Sequence, residues 1–398
     1  MLWRAGRWWP DRAARTASAW WLPAAAVVAL ATGALPPDGA RDVLARIAPV
    51  LGFLAAVTVV AELADAAGLF ESAAGMAIRA GRGRVPLLWL LVVGLATLTT
   101  ALLSLDTTAV LLTPVVLALA GRLSLPPLPF ALATVWLANT ASLFLPVSNL
   151  TNLLAVERSG WSGAGWAARM WLPALVSTAV TVAVLGVLGR RDLGGRYRIE
   201  PAAPATHRGL LRVAGLACLG LGVAVGAGVA PWLAATAAAA VLVAGFGAVD
   251  RDRLTRDLLP GRLLLGTVAL FLVVAAAERH GLSAALARAA GGADDGLPGL
   301  LRTAGVGAVT ANAVNNLPAY LALEPATGAH PASLLALVIG VNVGPLVTPW
   351  GSLATLLWRQ RCAARGVRIG SLRLAGYGAL LVVPALLLTV ATLSWLTP

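Results

Sequence analysis

Long apolar runs recur along the chain from residue 20 to residue 396, parted by short segments where arginine, glycine and proline gather. The runs are continuous rather than alternating, so they read as helices and not as the strands of a barrel. Nine of them are long enough to cross about 30 Å of hydrocarbon: 20–36, 47–68, 128–157, 170–189, 210–230, 232–249, 263–280, 332–358 and 374–396. Two more, 86–120 and 297–327, carry polar residues near their middles and are expected to be re-entrant hairpins rather than crossings. The pattern predicts an all-α polytopic membrane protein.

Polarity also interrupts two of the spans. Residues 139–152 read NTASLFLPVSNLTN and residues 342–355 read NVGPLVTPWGSLAT. At a constant offset of 203, Asn139 meets Asn342, Pro146 meets Pro349, Leu150 meets Leu353, and Asn149 and Asn152 meet Ser352 and Thr355. Upstream, LDTT (105–108) faces NNLP (315–318), pairing Asp106 with Asn316. The chain therefore reads as two similar halves. Residues 1–199 form a first repeat and 232–398 a second, each with two spans, a hairpin, a broken span and a last span. A single connecting helix within 200–231 makes the topology of the repeats inverted.

Pro146 and Pro349 each lack a backbone donor and disfavour helix at the residue before, so both spans should unwind inside the membrane. Freed backbone groups are costly in hydrocarbon, so the breaks must line an enclosed or wet cavity. The polar residues gathered there are Asp106, Thr107, Thr108, Asn139, Ser148, Asn149, Thr151, Asn152, Asn315, Asn316, Asn342, Thr348, Ser352 and Thr355, with Gly351 among them. They suit a small polar solute or a cation. The competing reading, helix-to-helix hydrogen bonding, fits scattered residues such as Thr97, Thr178 and Thr181 better than two paired clusters.

Composition changes the picture little: 59% of the 398 residues are hydrophobic and 12% charged. The net charge of +13 could signal nucleic acid, but every basic residue is an arginine and most stand in clusters between apolar runs. With the N-terminus inside and the C-terminus outside, 23 of the 30 arginines fall on the cytoplasmic side (Arg4 to Arg15, Arg79 to Arg84, Arg122, Arg190 to Arg212, Arg251 to Arg262, Arg359 to Arg373). Asp294 and Asp295 then precede a hairpin entering from outside. The clusters are topology signals, and the partner they imply is the lipid bilayer of the cell membrane, not nucleic acid. The arginines before residue 20 and the apolar run after them resemble a signal peptide, but the repeat needs that helix retained. Cys218 and Cys362 form no disulfide framework, and His207, His280 and His330 are too dispersed for a metal site, so no metal and no cofactor is expected.

The stretches LDTTAVLLTPVV (105–116), NTASLFLPVSNLTNLLA (139–155), VNNLPAYLAL (314–323) and VNVGPLVTPWGSLATLLW (341–358), with LADAAGLFESAA (63–74), are similar to the arsenite/antimonite efflux permeases, the arsenical pump membrane proteins of the ion transporter superfamily. The chain departs from that pattern at Leu105, Thr107 and Trp350. The resemblance implies an elevator-type secondary carrier with its site among hairpin tips and broken helices. It also implies a homodimer, and in some relatives a separate cytosolic ATPase subunit.

Arsenite is mostly the uncharged trihydroxide at neutral pH, which amides and hydroxyls can bind. The expected cavity holds no arginine for a multiply charged anion. A sodium/proton antiporter and a sodium-coupled carboxylate symporter remain the alternatives, since helix N-termini and bound sodium could supply positive field. Asp106 is the one acid expected at the middle of the membrane and is the candidate proton-coupling group, or a cap for the helix beginning at Thr107. Glu62, Asp65 and Glu278 read as helix-end residues, and Glu324 is open between the two roles. An intramembrane enzyme lacks any nucleophile elbow or paired histidines here. A channel would differ from a carrier by flux that neither saturates nor follows a proton or sodium gradient.

Overall fold

The structure, a computed structural model, describes residues 21–198, 207–255, 258–281, 296–328 and 330–396. The readings placed on Arg4 to Arg15, on Arg256 and on Asp294 and Asp295 lie outside the described residues. Within them the chain is helical, with one isolated antiparallel bridge between Arg84 and Arg196.

The first half carries α1 (Trp21–Ala31), α2 (Pro37–Ala66), α3 (Leu69–Ala80), α4 (Val85–Leu102), α5 (Leu105–Arg122), α6 (Pro127–Thr140), α7 (Leu150–Ser159) and α8 (Gly163–Gly189). After α9 (Arg208–Gly226) come α10 (Pro231–Val249), α11 (Gly261–Arg279), α12 (Leu297–Val314), α13 (Asn316–Leu323), α14 (Pro331–Val343), α15 (Leu353–Ala364) and α16 (Ser371–Leu396). Eight of these, α2, α4, α5, α8, α9, α10, α11 and α16, are long and apolar enough to cross a bilayer. The protein is a multi-pass membrane protein.

The chain divides into two compact units, residues 1–48 with 260–282, and residues 49–259 with 283–398. In the smaller unit α1 packs on α11 through Ala26, Ala269 and Leu272, joined by Leu35 and Ala40. All the elements of the candidate site belong to the larger one.

Several boundaries differ from the sequence reading. Helix α2 starts at Pro37, ten residues before the expected 47, because a proline in the first turn and Asp38 beside it suit a helix start. A separate amphipathic helix, α3, follows Gly68, whose φ of 77° only glycine adopts cheaply. It buries Phe70, Ala74, Ala77 and Ile78 and exposes Glu71, Met76 and Arg79. The run expected as a hairpin, 86–120, is two helices of 18 residues each, so length alone would let either cross.

The two broken spans unwind earlier than their expected prolines. Helix α6 stops at Thr140 and α7 begins at Leu150, and α14 stops at Val343 and α15 begins at Leu353. The gaps, 141–149 and 344–352, are nine residues each and stand at the same offset of 203. Leu145 is extended at φ −129°, as a residue before proline prefers. The Asn152 amide nitrogen donates to the carbonyls of Ser142 (2.6 Å) and Leu145 (3.1 Å), satisfying backbone that has left the helix. In the second gap an earlier proline, Pro345, kinks the chain at ψ 23° and opens the break before Pro349 is reached.

Candidate functional site

Two helix-to-helix tips meet the two gaps. The first tip joins α4 to α5 through Leu103 and Ser104. Ser104 is extended, and its Oγ accepts from the Thr107 amide at 3.1 Å while lying 2.9 Å from Thr107 Oγ1. Ser104, not Asp106, is therefore the cap of this helix, which corrects the capping role considered for Asp106. Thr108 Oγ1 sits 2.8 Å from Thr100 Oγ1, tying the two arms together just below the tip. Ser148, in the first gap, donates to the Ala101 carbonyl at 3.0 Å and fixes tip to gap. A turn of π-helix, Thr108–Leu112, follows at once, a feature often found at functional sites.

The second tip is Asn315, whose φ of 92° and ψ of 155° place a non-glycine residue in strained backbone. Its amide nitrogen donates to the Trp350 carbonyl at 3.0 Å. Three residues earlier stands Asn312, which the sequence reading missed. Its Nδ2 donates to the Gly344 carbonyl at 2.8 Å, and its Oδ1 accepts from the Thr348 amide at 2.8 Å. Its own carbonyl accepts from Thr348 Oγ1 at 3.0 Å and from Trp350 Nε1 at 2.8 Å. Asn312 thus pins the second tip to the second gap. A signal for it existed in the sequence, an amide three residues before the tip in an arm whose other polar residues are Arg302, Thr303 and Thr310.

The gaps are joined to each other across the chain. Asn342 Oδ1 accepts from Asn149 Nδ2 (2.9 Å) and Thr151 Oγ1 (2.8 Å), and Asn342 Nδ2 donates to Asn152 Oδ1 (2.8 Å). All four residues are buried. Ser352 repeats the cap of Ser104: its Oγ accepts from the Thr355 amide at 3.1 Å and lies 2.9 Å from Thr355 Oγ1. Asn149, at the matching position of the first gap, caps the Thr151 amide at 3.4 Å. The following half-helices pack on elements of the opposite half, α15 along α5 and α7 against α13 and α14. Gly351 leaves no room for a side chain, since a Cβ there would lie 2.6 Å from the Pro345 carbonyl oxygen.

The sequence-predicted residues therefore divide by what they touch. Asn149, Thr151, Asn152, Asn342, Thr348, Ser352, Thr355 and Thr107 spend their hydrogen bonds on shaping the gaps and tips. Asp106 and Asn316 make no side-chain hydrogen bond or ion pair among the described residues, and Asp106 Oδ1 is sealed without a partner. Asn139 donates to the Val135 carbonyl of its own helix at 2.9 Å and leaves its Oδ1 buried and unpartnered. The turn carrying Asp106 packs on α6, which carries Asn139. On that same helix Trp136 Nε1 is a buried donor without an acceptor. Unpartnered buried polar atoms of this kind cost about 1–3 kcal/mol each.

Apart from Asp106, no acidic or basic residue stands within three positions of Ser104 or Asn315. An ion pair between the exposed Arg158 and the buried Glu324 (3.6 Å) joins the end of α7 to the turn after α13. An apolar crevice of about 360 Å³, between Phe53, Leu153, Trp161 and Trp232, opens at that same end and includes no tip residue.

A profile of the citrate transporter (CitMHS) family matches residues 15–333. The arsenical pump membrane protein of Yersinia enterocolitica is 32% identical over 364 residues, covering 85% of this chain and 84% of its own. That of Escherichia coli K12 is 30% identical over 400 aligned positions, covering 94% and 92%. In three dimensions the chain is similar to the YdaH transporter of Alcanivorax borkumensis, whose crystal structure is described as having an unusual topology. The TM-score is 0.59 with 17% identity over 91% of this chain and 88% of the other.

Proposed function

Because the chain belongs to the citrate transporter (CitMHS) family and is a membrane transporter rather than an enzyme, we propose that it exports arsenite and antimonite in exchange for protons. The observation that carries this reading is the set of unpartnered buried atoms on the first tip's turn and on α6, the helix it packs against: the acceptors Asp106 Oδ1 and Asn139 Oδ1 and the donor Trp136 Nε1. A neutral trihydroxide both donates and accepts hydrogen bonds, so it can satisfy both kinds of orphan. A citrate-like polyanion offers mainly carboxylate acceptors and would set its charge beside two further acceptors with no arginine to offset it. Relatives named arsenical pump membrane proteins support the same substrate class.

In this reading the two halves are inverted repeats, 1–199 and 232–398, and the tips at Ser104 and Asn315 are re-entrant. Trp89 Nε1 donates to the Pro129 carbonyl near the starts of α4 and α6. Ala101 lies 12 residues further on, about 18 Å along the helix, and there Ser148 of the first gap donates to its carbonyl. Asp106 takes the proton on one side and releases it on the other as the solute moves. The N-terminus is cytoplasmic and the C-terminus extracytoplasmic, the working form is a homodimer, and a cytosolic ATPase subunit is a candidate partner.

Uptake into everted vesicles tests it, with arsenite, antimonite, sodium and citrate compared under an imposed pH gradient. Saturable, pH-driven arsenite uptake is expected. The name of the matching family favours the second reading, a sodium-coupled carboxylate carrier, and citrate uptake driven by sodium without arsenite transport would establish that instead.

A further inference from the structure

Two arginine-rich loops, far apart in sequence, are clasped together in the larger unit. Tyr197 donates its backbone amide to the Gly83 carbonyl at 2.9 Å, and Val85 donates to the Gly195 carbonyl at 3.3 Å. The buried Tyr197 hydroxyl reaches beneath the loop to the Ile78 carbonyl at 2.6 Å, at the end of α3. Burial raises the phenol above its ordinary value, so it remains a donor. Close approach is built in: a Cβ at Gly81 would collide with the Tyr197 hydroxyl, and Gly83 turns at φ 73°.

The clasp gathers like charges. Residues 79–84 carry Arg79, Arg82 and Arg84, and residues 190–198 carry Arg190, Arg191, Arg196 and Arg198, with Asp192 the one acid among them. The backbones of Arg84 and Arg196 pair directly. All seven arginines are exposed and none makes an ion pair or side-chain hydrogen bond among the described residues. A topology signal needs arginines on the correct side but does not need two loops hydrogen-bonded so that their charges face each other. Such a cluster is repulsive without a counter-anion.

The position of the cluster names the counter-anion. Arg84 immediately precedes α4, whose Leu90 is 49% exposed, and Arg190 immediately follows α8, whose Val187 is 65% exposed. The guanidinium groups thus begin where apolar, outward-facing helix surface ends, which is the depth of lipid headgroups. Amphipathic α3 leads into the same clasp. We propose that the Arg84–Arg196 clasp is a binding site for anionic phospholipid headgroups, which stabilise the two loops and so hold the base of the α4–α5 tip.

The test uses the full chain in a zwitterionic detergent, followed by native mass spectrometry and thermal melting as phosphatidylglycerol or phosphatidylcholine is added. Phosphatidylglycerol is expected to bind in preference and to raise the melting temperature by about 3 °C, reversibly with salt. Arg84→Gln with Arg196→Gln should remove most of the preference, whereas Arg251→Gln with Arg253→Gln should keep it. Tyr197→Phe keeps every charge and both backbone bonds but loses the hydroxyl's hold on the Ile78 carbonyl, which loosens the clasp and should lower phosphatidylglycerol binding several-fold. Equal binding of both lipids by the unaltered protein would overturn the proposal even if the arginine variants fail to fold. An equal shift from inorganic phosphate would make the site one for a free anion, and a shift from polyglutamate alone would make it a protein-docking surface. An unchanged preference in Tyr197→Phe would reduce the arginines to topology signals.

Discussion

Asn342 reaches from the second half of the chain to Asn152 in the first, its amide nitrogen 2.8 Å from the Asn152 oxygen. With the bonds it accepts from Asn149 and Thr151, one side chain holds the two gaps in register. Asn342→Ala would strand Asn149 Nδ2, Thr151 Oγ1 and Asn152 Oδ1 in a buried place, at a cost of at least about 3 kcal/mol. Asn139→Ala removes one bond to its own helix, worth about 1 kcal/mol. Thermal melting in detergent should therefore separate the two variants clearly, and equal melting points would show that the network does not hold the gaps.

Asp106→Asn keeps the shape of the side chain and, since Ser104 supplies the cap, leaves the helix start intact. Proton-driven accumulation of arsenite in everted vesicles should fail in this variant. Exchange of arsenite down its own gradient should survive, because an amide still bonds a neutral trihydroxide. Full coupling in the variant would move the proton-carrying group elsewhere, with Asp65 and Glu62 first to be tried.

Asn312→Ala should raise the apparent KM for arsenite more than it lowers kcat, by about tenfold, since it removes the side-chain bonds to the Gly344 carbonyl and the Thr348 amide without touching Asp106, while the Trp350 indole keeps its bond to the backbone carbonyl of residue 312. Trp350→Phe removes one donor and should show a smaller effect in the same direction. Transport kinetics in vesicles compare the two, and the reverse order would assign the pin to the indole.

A Cβ at Gly340 would run into the Ala304 carbonyl, and one at Gly344 into Ala308, so α12 and α14 touch backbone to backbone. Gly340→Val leaves nothing flexible to give way. It should abolish the folded protein by size-exclusion chromatography, whereas Gly305→Val, where the space is open, should not.

The membrane architecture was readable because every long helix needs about 20 apolar residues, and continuous runs announce them. The gaps were readable in outline from NTASLFLPVSNLTN and NVGPLVTPWGSLAT, yet their edges were not. Proline marks where helix cannot continue, whereas the helix ends are set by what replaces its hydrogen bonds. Here that is Asn152 on the Ser142 and Leu145 carbonyls and Asn312 on the Gly344 carbonyl. These are contacts between residues distant in sequence or displaced from the repeat, and composition does not disclose them. For the same reason the polar residues looked alike as candidate ligands, although most are engaged with one another. Asn312 has no polar counterpart in the repeat: position 102, set against it by the register that pairs Asp106 with Asn316, is a leucine.

The equal length of the two gaps has a consequence for how this chain can change over generations. Each nine-residue gap ends in a cap, Asn149 or Ser352, whose side chain must point back along its own half-helix. Removing one residue from a gap would turn the following half-helix by about 100°. Thr151 and Asn152 would then swing off Asn342 as a pair, and no change of side chain at either position could bring them back. Substitutions can accumulate in such a segment one at a time, but its residue count is quantised. Natural variation in length should be confined to the connections outside it, such as the turn between α9 and α10.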